Sequence, residues 1–272
     1  MEIQFTKMHG CGNDFVFLNC LKENIGALET LAKRLCDRRF GVGADQLLTV
    51  HPSKVADFKM EIYNADGSQV EMCGNGIRCF AKYVYDHGIT RKRELEVETL
   101  AGIIRPRIVG NLVEVDMGEP IVEGRDIPVN ARGKIVNHPL MVDEKTYEVT
   151  CVSMGNPHCV LYMDEIDSLD LEKIGPRFEH HAFFPKRVNT EFIKIISSKE
   201  VKMRVWERGA GETWACGTGA CAVGVAGVIS GRTERDLTIH LKGGDLFIEW
   251  RDNNRVYMTG AAEEVFQGTV KI

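Results

Sequence analysis

Polar and apolar residues alternate along several short stretches of the chain, and this two-residue period is typical of half-buried β-strands. On this basis we predict strands at residues 1–8, 58–63, 95–100, 201–206, 245–250 and 268–272. The chain is therefore expected to be rich in β-sheet.

Two segments follow helical patterns instead. Residues 28–38 carry Leu28, Leu31, Leu35 and Cys36 at a spacing that places them on one face of an amphipathic helix. Residues 218–230 are apolar all round yet too short to cross a membrane. They predict a helix that is buried on every side, and a strongly curved sheet wrapped around it would bury it in this way.

The sequence also contains an internal repeat, whose matched positions are separated by a constant offset along the chain. Gly12-Asn13 recurs as Gly155-Asn156, and Cys73-Gly74-Asn75-Gly76 recurs at the same offset as Cys216-Gly217-Thr218-Gly219. Beyond these loops the offset becomes shorter by a single position and the matches continue. Such an ordered series indicates two homologous halves.

We therefore expect an α/β (α+β) protein of two pseudo-symmetric halves. Each half would be a curved, mainly antiparallel sheet around a central helix, with the active site in the cleft between them. The first half is assigned to residues 1–118 and the second to residues 119–262. The segment 263–272 lies beyond the repeat and is expected to return to the first half as a strand. Residues 119–143, rich in proline and glycine, are interpreted as linker and irregular structure.

Composition limits the classes of function. The chain has 272 residues, of which 44% are hydrophobic and 27% charged, as in a soluble globular protein. Its net charge of −5 and its scattered Lys and Arg residues give no concentrated basic face for nucleic acid or an anionic membrane. No signal-peptide layout and no membrane-spanning run is recognised. We expect a cytoplasmic protein with neither a nucleic-acid nor a membrane partner.

The chain has nine cysteines, an unusual number for such a protein. The odd count and the size of the chain disfavour a disulfide framework. The gaps from Cys73 to Cys79 and from Cys216 to Cys221 fit zinc-ligand spacing poorly, so no metal site is predicted. Most of the nine are expected to be small buried hydrophobic residues.

Cys73 and Cys216 are the exceptions, because each lies in a glycine-rich loop that leads from a strand into a helix. Glycines at a helix start expose backbone N–H groups, which together with the helix dipole favour an anion. The same dipole stabilises a thiolate, so the pKa of both thiols is expected to fall below ~8.5. Neither loop has a nucleotide-phosphate motif.

Equivalent cysteines in two pseudo-symmetric halves could face one ligand from opposite sides. One thiolate would remove the α-proton of a carbon that bears a carboxylate, and the other thiol would deliver a proton to the far face. Each thiol then needs a neighbour that tunes its proton affinity. His158 and Glu207 are the candidates, although a core histidine and a solvated surface acid are the ordinary interpretations of such residues.

Matched amides lie at the ends of the duplicated strands. Asn13 is equivalent to Asn156 and Gln46 to Asn189, while Asn64 is equivalent to Glu207. Together with Arg208 they indicate a polar pocket that suits the zwitterionic head group of an amino acid.

Four motifs occur in combination: Met8-His9-Gly10-x-Gly12-Asn13-Asp14-Phe15; Asn64-Ala65-Asp66-Gly67-Ser68 with Met72-Cys73-Gly74-Asn75-Gly76-x-Arg78-Cys79; Gly155-Asn156-Pro157-His158; and Glu207-Arg208-Gly209-Ala210-Gly211-Glu212-Thr213 with Ala215-Cys216-Gly217-Thr218-Gly219. Over nearly the whole chain the sequence resembles the diaminopimelate epimerase family. The resemblance implies interconversion of LL- and meso-2,6-diaminopimelate without a cofactor, in the synthesis of lysine and peptidoglycan precursors. It also implies the two-half fold.

Carried over by position, the resemblance implies that Cys73 and Cys216 are the acid/base residues and that His158 and Glu207 tune them. The residues implied to hold the reacting carboxylate are Gly74, Asn75, Gly217 and Thr218. Those implied to hold the distal amino-acid group are Asn64, Asn156, Asn189, Glu207 and Arg208, with Asn13 and Gln46 as further pocket residues. Cys11 replaces an apolar residue of the family pattern and is a third thiol near the site.

Two other functions remain open at this point. A proline-type racemase would share the two cysteines, but Glu207 and Arg208 favour a substrate with a second charged group. A non-catalytic zinc or redox-thiol protein would need a bound metal or a reversible Cys73–Cys216 disulfide. A homodimer is the assembly that we consider.

Overall fold

A computed structural model describes residues 2–22 and 25–271 of the chain. They divide into two compact units, one from the described residues within 1–115 and 260–272 and one from residues 116–259. Each unit combines a large sheet with a small number of helices. The predicted α+β class with two sheet-rich halves is therefore confirmed.

The first unit is built on an eight-stranded sheet. Its strands are β1 (Glu2–Gly10), β2 (Asn13–Asn19), β3 (Gln46–His51), β4 (Phe58–Asn64), β5 (Gln69–Val70), β6 (Val97–Thr99), β7 (Gly102–Ile104) and β19 (Glu263–Lys271). They follow the order β19-β1-β2-β3-β4-β6-β7, with β5 on β4. The pairs β2–β3 and β4–β6 are parallel, and the other pairs are antiparallel. A hairpin follows, made of β8 (Pro106–Val109) and β9 (Leu112–Asp116).

Two helices pack in this unit, α1 (Leu28–Leu35) and α2 (Gly74–Asp86). Helix α1 ends before the predicted end at residue 38. The Asp37 carboxylate accepts hydrogen bonds from the backbone N–H groups of Arg39 and Phe40, and this turn replaces a further helical turn. Helix α2 is the central helix, because it buries nearly its whole first two turns.

The second unit has a longer sheet. Its strands are β10 (His138–Val142), β11 (Lys145–Ser153), β12 (Pro157–Tyr162), β13 (Asn189–Ser197), β14 (Glu200–Glu207), β15 (Gly211–Thr213), β16 (Asp236–Leu241), β17 (Gly244–Trp250) and β18 (Val256–Gly260). The order is β10-β11-β12-β13-β14-β16-β17-β18, with β15 on β14. The pairs β12–β13 and β14–β16 are parallel.

The helices of this unit are α3 (Leu171–Glu179) and α4 (Gly217–Ile229). Helix α4 is the largely buried helix that the apolar segment predicts, and its small residues allow close packing. A Cβ atom on Gly224 would lie 2.8 Å from Cγ2 of Ile248. The sheet therefore approaches the helix backbone closely. None of the helices in the described ranges is long and apolar enough to cross a membrane.

The strand predictions differ from the structure mainly at their ends. Those at 58–63, 201–206 and 245–250 are confirmed by β4, β14 and β17, whereas the one at 95–100 shortens to β6. Strand β1 runs past residue 8 to Gly10, and β19 already begins at Glu263. Met1 and Ile272 lie outside the described residues.

One interpretation, that residues 119–143 are irregular, is wrong over its last part. A short 3-10 helix occupies Gly124–Asp126, and β10 begins at His138. Pro139 is tolerated there because β10 is the edge strand of the sheet.

The duplication is preserved in the pairing of the strands. Phe15 faces Gln46 across the parallel pair β2–β3, and His158 faces Asn189 across β12–β13. These partners are related by the same offset as the two cysteine loops. The matched polar positions of the sequence therefore occupy equivalent places in the two units.

Candidate active site

Cys73 is the N-cap residue of α2 and has an extended backbone (φ −136°, ψ 120°). The first helical hydrogen bond runs from the Ile77 N–H to the Cys73 carbonyl at 2.9 Å. The N–H groups of Gly74 and Asn75 precede that bond and are therefore orphan donors of the first turn. The Gly76 N–H points at the Cys73 Sγ at 3.4 Å. This end of the helix can accept an anion beside the thiol.

Asn13, at the start of β2, holds the Cys73 loop from one side. Its Oδ1 accepts hydrogen bonds from the Cys73 thiol at 3.4 Å and from Nδ2 of Asn75 at 3.3 Å. Its own Nδ2 donates to the Asp45 carboxylate at 2.8 Å. The amide is thereby oriented with its oxygen toward the cysteine.

A charged residue of the cysteine motif, to which the sequence assigns no role, lies beneath this loop. Arg78 is fully buried in α2 and donates from Nη2 to Oδ1 of Asn75 at 2.8 Å. The same nitrogen lies 3.7 Å from the Cys11 thiol, and Nη1 lies 3.3 Å from the Gly74 carbonyl. Its place two residues after Gly76 in the cysteine motif was the available signal. Arg78 thus fixes Gly74 and Asn75, the two residues that follow Cys73.

An ion-pair cluster adjoins Asn13. Asp14 accepts hydrogen bonds from Lys7 at 2.6 Å and from Arg38 at 2.8 Å, and Arg38 also reaches Asp45 at 2.7 Å. Burial alone would raise the pKa of Asp14, but the bonds from Arg38 and Lys7 outweigh it and hold the pKa well below its ordinary value. The cluster fixes Asp45, which in turn orients Asn13.

Gln46 and Asn64 form a second polar pair of the first unit. They face each other across β3 and β4, and Nε2 of Gln46 donates to Oδ1 of Asn64 at 2.9 Å. Nδ2 of Asn64 donates to the Ser68 hydroxyl at 2.9 Å. Within the described part of the chain, the buried Oε1 of Gln46 has no hydrogen-bond partner. That oxygen can accept a hydrogen bond from a ligand.

Cys216 is the N-cap residue of α4, with an extended backbone (φ −122°, ψ 107°). The Ala220 N–H closes the first helical turn on the Cys216 carbonyl at 2.9 Å, as Ile77 does in α2. Gly217 and Thr218 therefore carry the orphan N–H groups here. The thiol lies 3.6 Å from the Thr218 hydroxyl.

The expectation that both thiols have a pKa below ~8.5 is wrong for Cys216. Burial raises the pKa of this thiol well above its ordinary value, and the carboxylates of Glu207 and Glu191 raise it further. Hydrogen bonds from Thr218 and from the Gly219 N–H oppose the rise without reversing it. Desolvation and like charge therefore outweigh the helix dipole, which leaves Cys216 as a neutral thiol.

The turn after β14 carries the charged pair Glu207 and Arg208. The Thr213 hydroxyl donates to the Glu207 carboxylate. Asn189 accepts a hydrogen bond from the Arg208 backbone N–H at 3.0 Å and donates to the Pro157 carbonyl at 2.8 Å. The Arg208 guanidinium is exposed and donates to the Lys186 carbonyl at 3.1 Å. Asn189 thus links this turn to the start of β12.

His158 has a partner that the sequence analysis missed. Its Nδ1 lies 2.6 Å from Oε1 of Glu191, and both side chains are fully buried. Its Nε2 lies 2.9 Å from Oδ1 of Asn156. Burial raises the pKa of Glu191, although the contact with His158 opposes this. Among residues 2–22 and 25–271, the other Glu191 oxygen has no hydrogen-bond partner. The sequence signal was a glutamate directly before the apolar residues Phe192 and Ile193 of β13.

The predicted site residues thus form four groups within the two units. In the first unit the groups are Cys73 with Asn13, Gly74 and Asn75, and Gln46 with Asn64. In the second unit, one group is Cys216 with Gly217, Thr218 and Glu207. The other group, along β12 and its neighbours, is Asn156, His158, Asn189 and Arg208.

Comparisons with known proteins identify the family that this chain resembles. The family model described as diaminopimelate epimerase matches residues 5–123 and 150–265. Diaminopimelate epimerase of Acetivibrio thermocellus is 54% identical, with 99% of each chain covered. The enzyme of Moorella thermoacetica is 53% identical, with 98% of each chain covered.

Solved structures show the same fold at low sequence identity. A PhzF-family phenazine biosynthesis protein of Bacillus anthracis has a TM-score of 0.71 at 15% identity, with both chains fully covered. A hydroxyproline epimerase of Agrobacterium vitis has a TM-score of 0.67 at 12% identity, with 99% of this chain and 92% of that one covered. At such identities the likeness concerns the fold alone.

Proposed function

Because the chain belongs to the diaminopimelate epimerase family, we propose that it interconverts LL-2,6-diaminopimelate and meso-2,6-diaminopimelate in the synthesis of lysine and peptidoglycan precursors. One observation supports the chemistry most directly. Cysteine occupies the N-cap of the central helix in both units, at equivalent positions of the repeat.

The two cysteines act as a pair of opposed acid/base groups. One thiolate removes the proton from the α-carbon, and the other thiol gives a proton to the opposite face, so that the configuration inverts. In the reverse direction the roles exchange. A neutral Cys216 thiol supports this scheme, since one of the two sulfurs must begin as the proton donor.

The helix starts hold the reacting carboxylate. Gly74 and Asn75 in one unit, with Gly217 and Thr218 in the other, offer orphan N–H groups to its oxygens. Negative charge spreads onto that carboxylate once the α-proton has left. Preorganised N–H donors stabilise this charge where it develops and therefore lower the barrier.

A second set of residues holds the distal amino-acid group. Arg208 pairs with its carboxylate, and Glu207 pairs with its ammonium group. The amides of Asn64, Asn156 and Asn189 supply hydrogen bonds, while Asn13 and Gln46 complete the pocket. The Oε1 of Gln46, which has no hydrogen-bond partner among the described residues, supports a ligand donor at this place. The opposite charges of Arg208 and Glu207 thus match the two charged groups of the distal end of the substrate.

The reaction needs neither a metal nor pyridoxal phosphate, since two thiols supply both proton transfers. Dialysis against a chelator should leave kcat unchanged. Activity that is lost on chelation and returns with added metal would contradict this part of the proposal.

The nine cysteines support a cytoplasmic location, because reducing conditions keep cysteine side chains in the thiol form. Measurement of the protein in cell fractions tests this. Recovery with the membrane or exported fraction would oppose it.

We further propose a homodimer formed through β19. This strand lies at the edge of its sheet and exposes Val265 and Phe266. An exposed edge strand favours pairing with another chain. Light scattering after size exclusion should show a dimer for the wild type and a monomer for Phe266→Lys. The exposed loop residue Phe40 provides the control, since Phe40→Lys should remain dimeric. A monomeric wild type would refute the assembly.

The alternatives are not favoured. A proline-type racemase has the same fold, but the relatives that match at 54% and 53% identity act, by name, on diaminopimelate. Purified protein should therefore invert LL-diaminopimelate and leave proline unchanged, when each is followed by chiral chromatography. Turnover of proline without turnover of diaminopimelate would reject the proposal.

A further inference from the structure

A chain of hydrogen bonds runs beneath the Cys73 loop from a cation to a carboxylate. Nη2 of Arg78 donates to Oδ1 of Asn75 at 2.8 Å. Nδ2 of Asn75 donates to Oδ1 of Asn13 at 3.3 Å, and Nδ2 of Asn13 donates to the Asp45 carboxylate at 2.8 Å. The Cys73 thiol contacts this chain at its middle, where it donates to the Asn13 oxygen at 3.4 Å. Two amide side chains therefore connect the guanidinium to the sulfur.

The two ends of the chain determine the orientation of both amides. A guanidinium has hydrogen-bond donors and no acceptor, so Asn75 turns its oxygen toward Arg78 and its NH2 group away. A carboxylate has acceptors and no donor, so Asn13 turns its NH2 group toward Asp45 and its oxygen toward Cys73. Reversal of either amide would place two donors or two acceptors against each other.

Arg78 also connects the loop to two other segments of the same unit. Its Nη1 donates to the Gly74 carbonyl at 3.3 Å, and its Nη2 lies 3.7 Å from the thiol of Cys11, in the turn between β1 and β2. Its Nε donates to the carbonyl of Ala261, shortly before β19, at 3.4 Å. One planar, fully buried group thus holds the start of α2 against both segments.

The second unit shows that the helix itself does not need a cation at this place. Helices α2 and α4 both begin at the glycine after the cysteine and have the same length, so Arg78 and Cys221 occupy the same helical position. Cys221 is small, uncharged by type and fully buried. Asn156, the equivalent of Asn13, contacts a histidine of its own strand instead. Because burial of a charged group opposes folding unless its partners are very well placed, packing alone gives no reason for Arg78.

We propose that Arg78 is a positioning residue for the reaction at Cys73. From beneath the loop it orients the amide of Asn75 and, through Asn75, that of Asn13. This keeps an oxygen against the sulfur and holds the first turn of α2 in place for the substrate carboxylate. The inference rests on the proposed function in one respect, that Cys73 exchanges a proton with the substrate.

The orienting role can be measured without substrate. In proton–nitrogen-15 NMR spectra, the side-chain NH2 signals of Asn13 and Asn75 are assigned by their loss in Asn13→Ala and Asn75→Ala. Arg78→Met replaces the guanidinium by a neutral side chain and should shift both sets of signals, although Asn13 lies one amide further along the chain. Lys82→Met is the matched control, because it removes a cation of the same helix that pairs with Asp86, and both sets should stay in place. Unshifted Asn13 signals in Arg78→Met would overturn the inference.

A double-mutant cycle tests whether Arg78 serves the reaction through Asn75. Arg78→Met and Asn75→Ala should each lower kcat/KM for LL-diaminopimelate about tenfold or more. The fall should come mainly from kcat, because the sulfur and the helix turn lose their alignment while the distal group is still held. The double variant should be about as slow as the slower single variant, since both changes break the same chain. Effects that multiply, or a wild-type kcat in Arg78→Met, would overturn the inference.

Arg78→Lys covers the case in which Arg78→Met does not fold. It keeps the positive charge, but one ammonium group cannot reach the acceptors that three guanidinium nitrogens contact. Compared at equal folded fraction, Arg78→Lys should also lower kcat, and Asn75→Ala should add little to that fall. A kcat equal to that of the wild type would contradict the positioning role.

The two proposals fail separately. The NMR measurement needs no substrate, so shifted Asn13 signals support the orienting role of Arg78 whatever the substrate is. A wild-type protein without turnover of diaminopimelate rejects the proposed function. Wild-type turnover together with independent effects of Arg78 and Asn75 rejects the inference on Arg78 alone.

Discussion

The Cys73 thiol donates a hydrogen bond to the side-chain oxygen of Asn13, 3.4 Å away, and Asn13 itself is held by Asp45. The same oxygen accepts from Asn75, the second residue of α2. One amide at the start of β2 therefore fixes both the sulfur that is proposed to act as acid and base and the helix turn that is proposed to bind the carboxylate.

Replacing Asn13 should impair catalysis more than stability. Asn13→Ala removes the acceptor shared by Cys73 and Asn75, and we expect kcat/KM to fall by about tenfold or more, the effect of one or two lost hydrogen bonds. The Tm should change little, because Asn13 is only partly buried. Asn19→Ala, at the opposite end of the same strand, is the control and should retain activity. Equal activities of the two variants would contradict the role of Asn13.

The glycines of the two cysteine loops should respond differently to alanine. A methyl group on Gly219 would meet Glu191 at 2.8 Å and Met203 at 3.1 Å, whereas the closest atom to one on Gly76 is at 3.3 Å. At both sites the replacement of glycine by alanine favours the helix by about 0.8–1 kcal/mol. Gly219→Ala should therefore lower kcat/KM by about tenfold or more, because Glu191 must move, and Gly76→Ala should lower it less. A larger fall in kcat/KM for Gly76→Ala than for Gly219→Ala, measured at equal folded fraction, would contradict this account of the loops.

Asp14 should stabilise the protein in a pH-dependent way. Its folded pKa is depressed, so its contribution is complete above the unfolded pKa near 3.8 and is lost as the pH falls toward the folded pKa. Asp14→Asn should lower the free energy of unfolding by about 1–3 kcal/mol at pH 7, since Lys7 loses its counterion. This decrease in the free energy of unfolding should be about 1 kcal/mol smaller at pH 3 than at pH 7. Urea denaturation at both pH values measures this.

The exposed Asp252 provides a control for that experiment, because Asp252→Asn should change the unfolding free energy little at either pH. A destabilisation by Asp14→Asn that is as large at pH 3 as at pH 7 would show that charge is not the cause.

Arg208→Lys should impair substrate binding without loss of stability. The substitution keeps a charge but removes the planar pair of donors that matches a carboxylate. Because Arg208 is exposed, we expect an unchanged Tm and a KM for diaminopimelate that is about tenfold higher or more. Arg235→Lys, at an arginine stacked on Trp250, is the control. A KM equal to that of the wild type would exclude Arg208 from the head-group site.

The sequence predicts much of the fold because the repeat and the hydrophobic periods are local signals. The apolar all-round pattern identifies α4, and the constant offset of the repeat places Phe15 and His158 at equivalent positions of their sheets. Element ends are less predictable, since they depend on single contacts. The Asp37 turn that ends α1 is one example.

The electrostatics of the site could not be derived from sequence alone. A helix N-terminus predicts a lowered thiol pKa, but at Cys216 burial and two carboxylates reverse the direction. Glu191 comes close to this thiol only because β13 passes beneath α4, which no spacing in the sequence reveals. Arg78 is similar, because a charged residue of a helix is expected at the surface until its burial is known.

The central claim is that two thiols, Cys73 and Cys216, serve opposite faces of one carbon. Each sulfur keeps the proton that it removes, while the other sulfur donates a proton taken from solvent before the substrate arrived. Cys73→Ala and Cys216→Ala should each stop inversion in both directions, because each direction needs both groups.

Epimerisation in heavy water, followed by mass spectrometry at early times, tests this claim most directly. Product formed from either stereoisomer should carry deuterium at the inverted carbon, and recovered starting isomer should remain almost unlabelled. A single base would return the removed proton to either face. Substantial protium in the early product would therefore contradict the two-thiol mechanism.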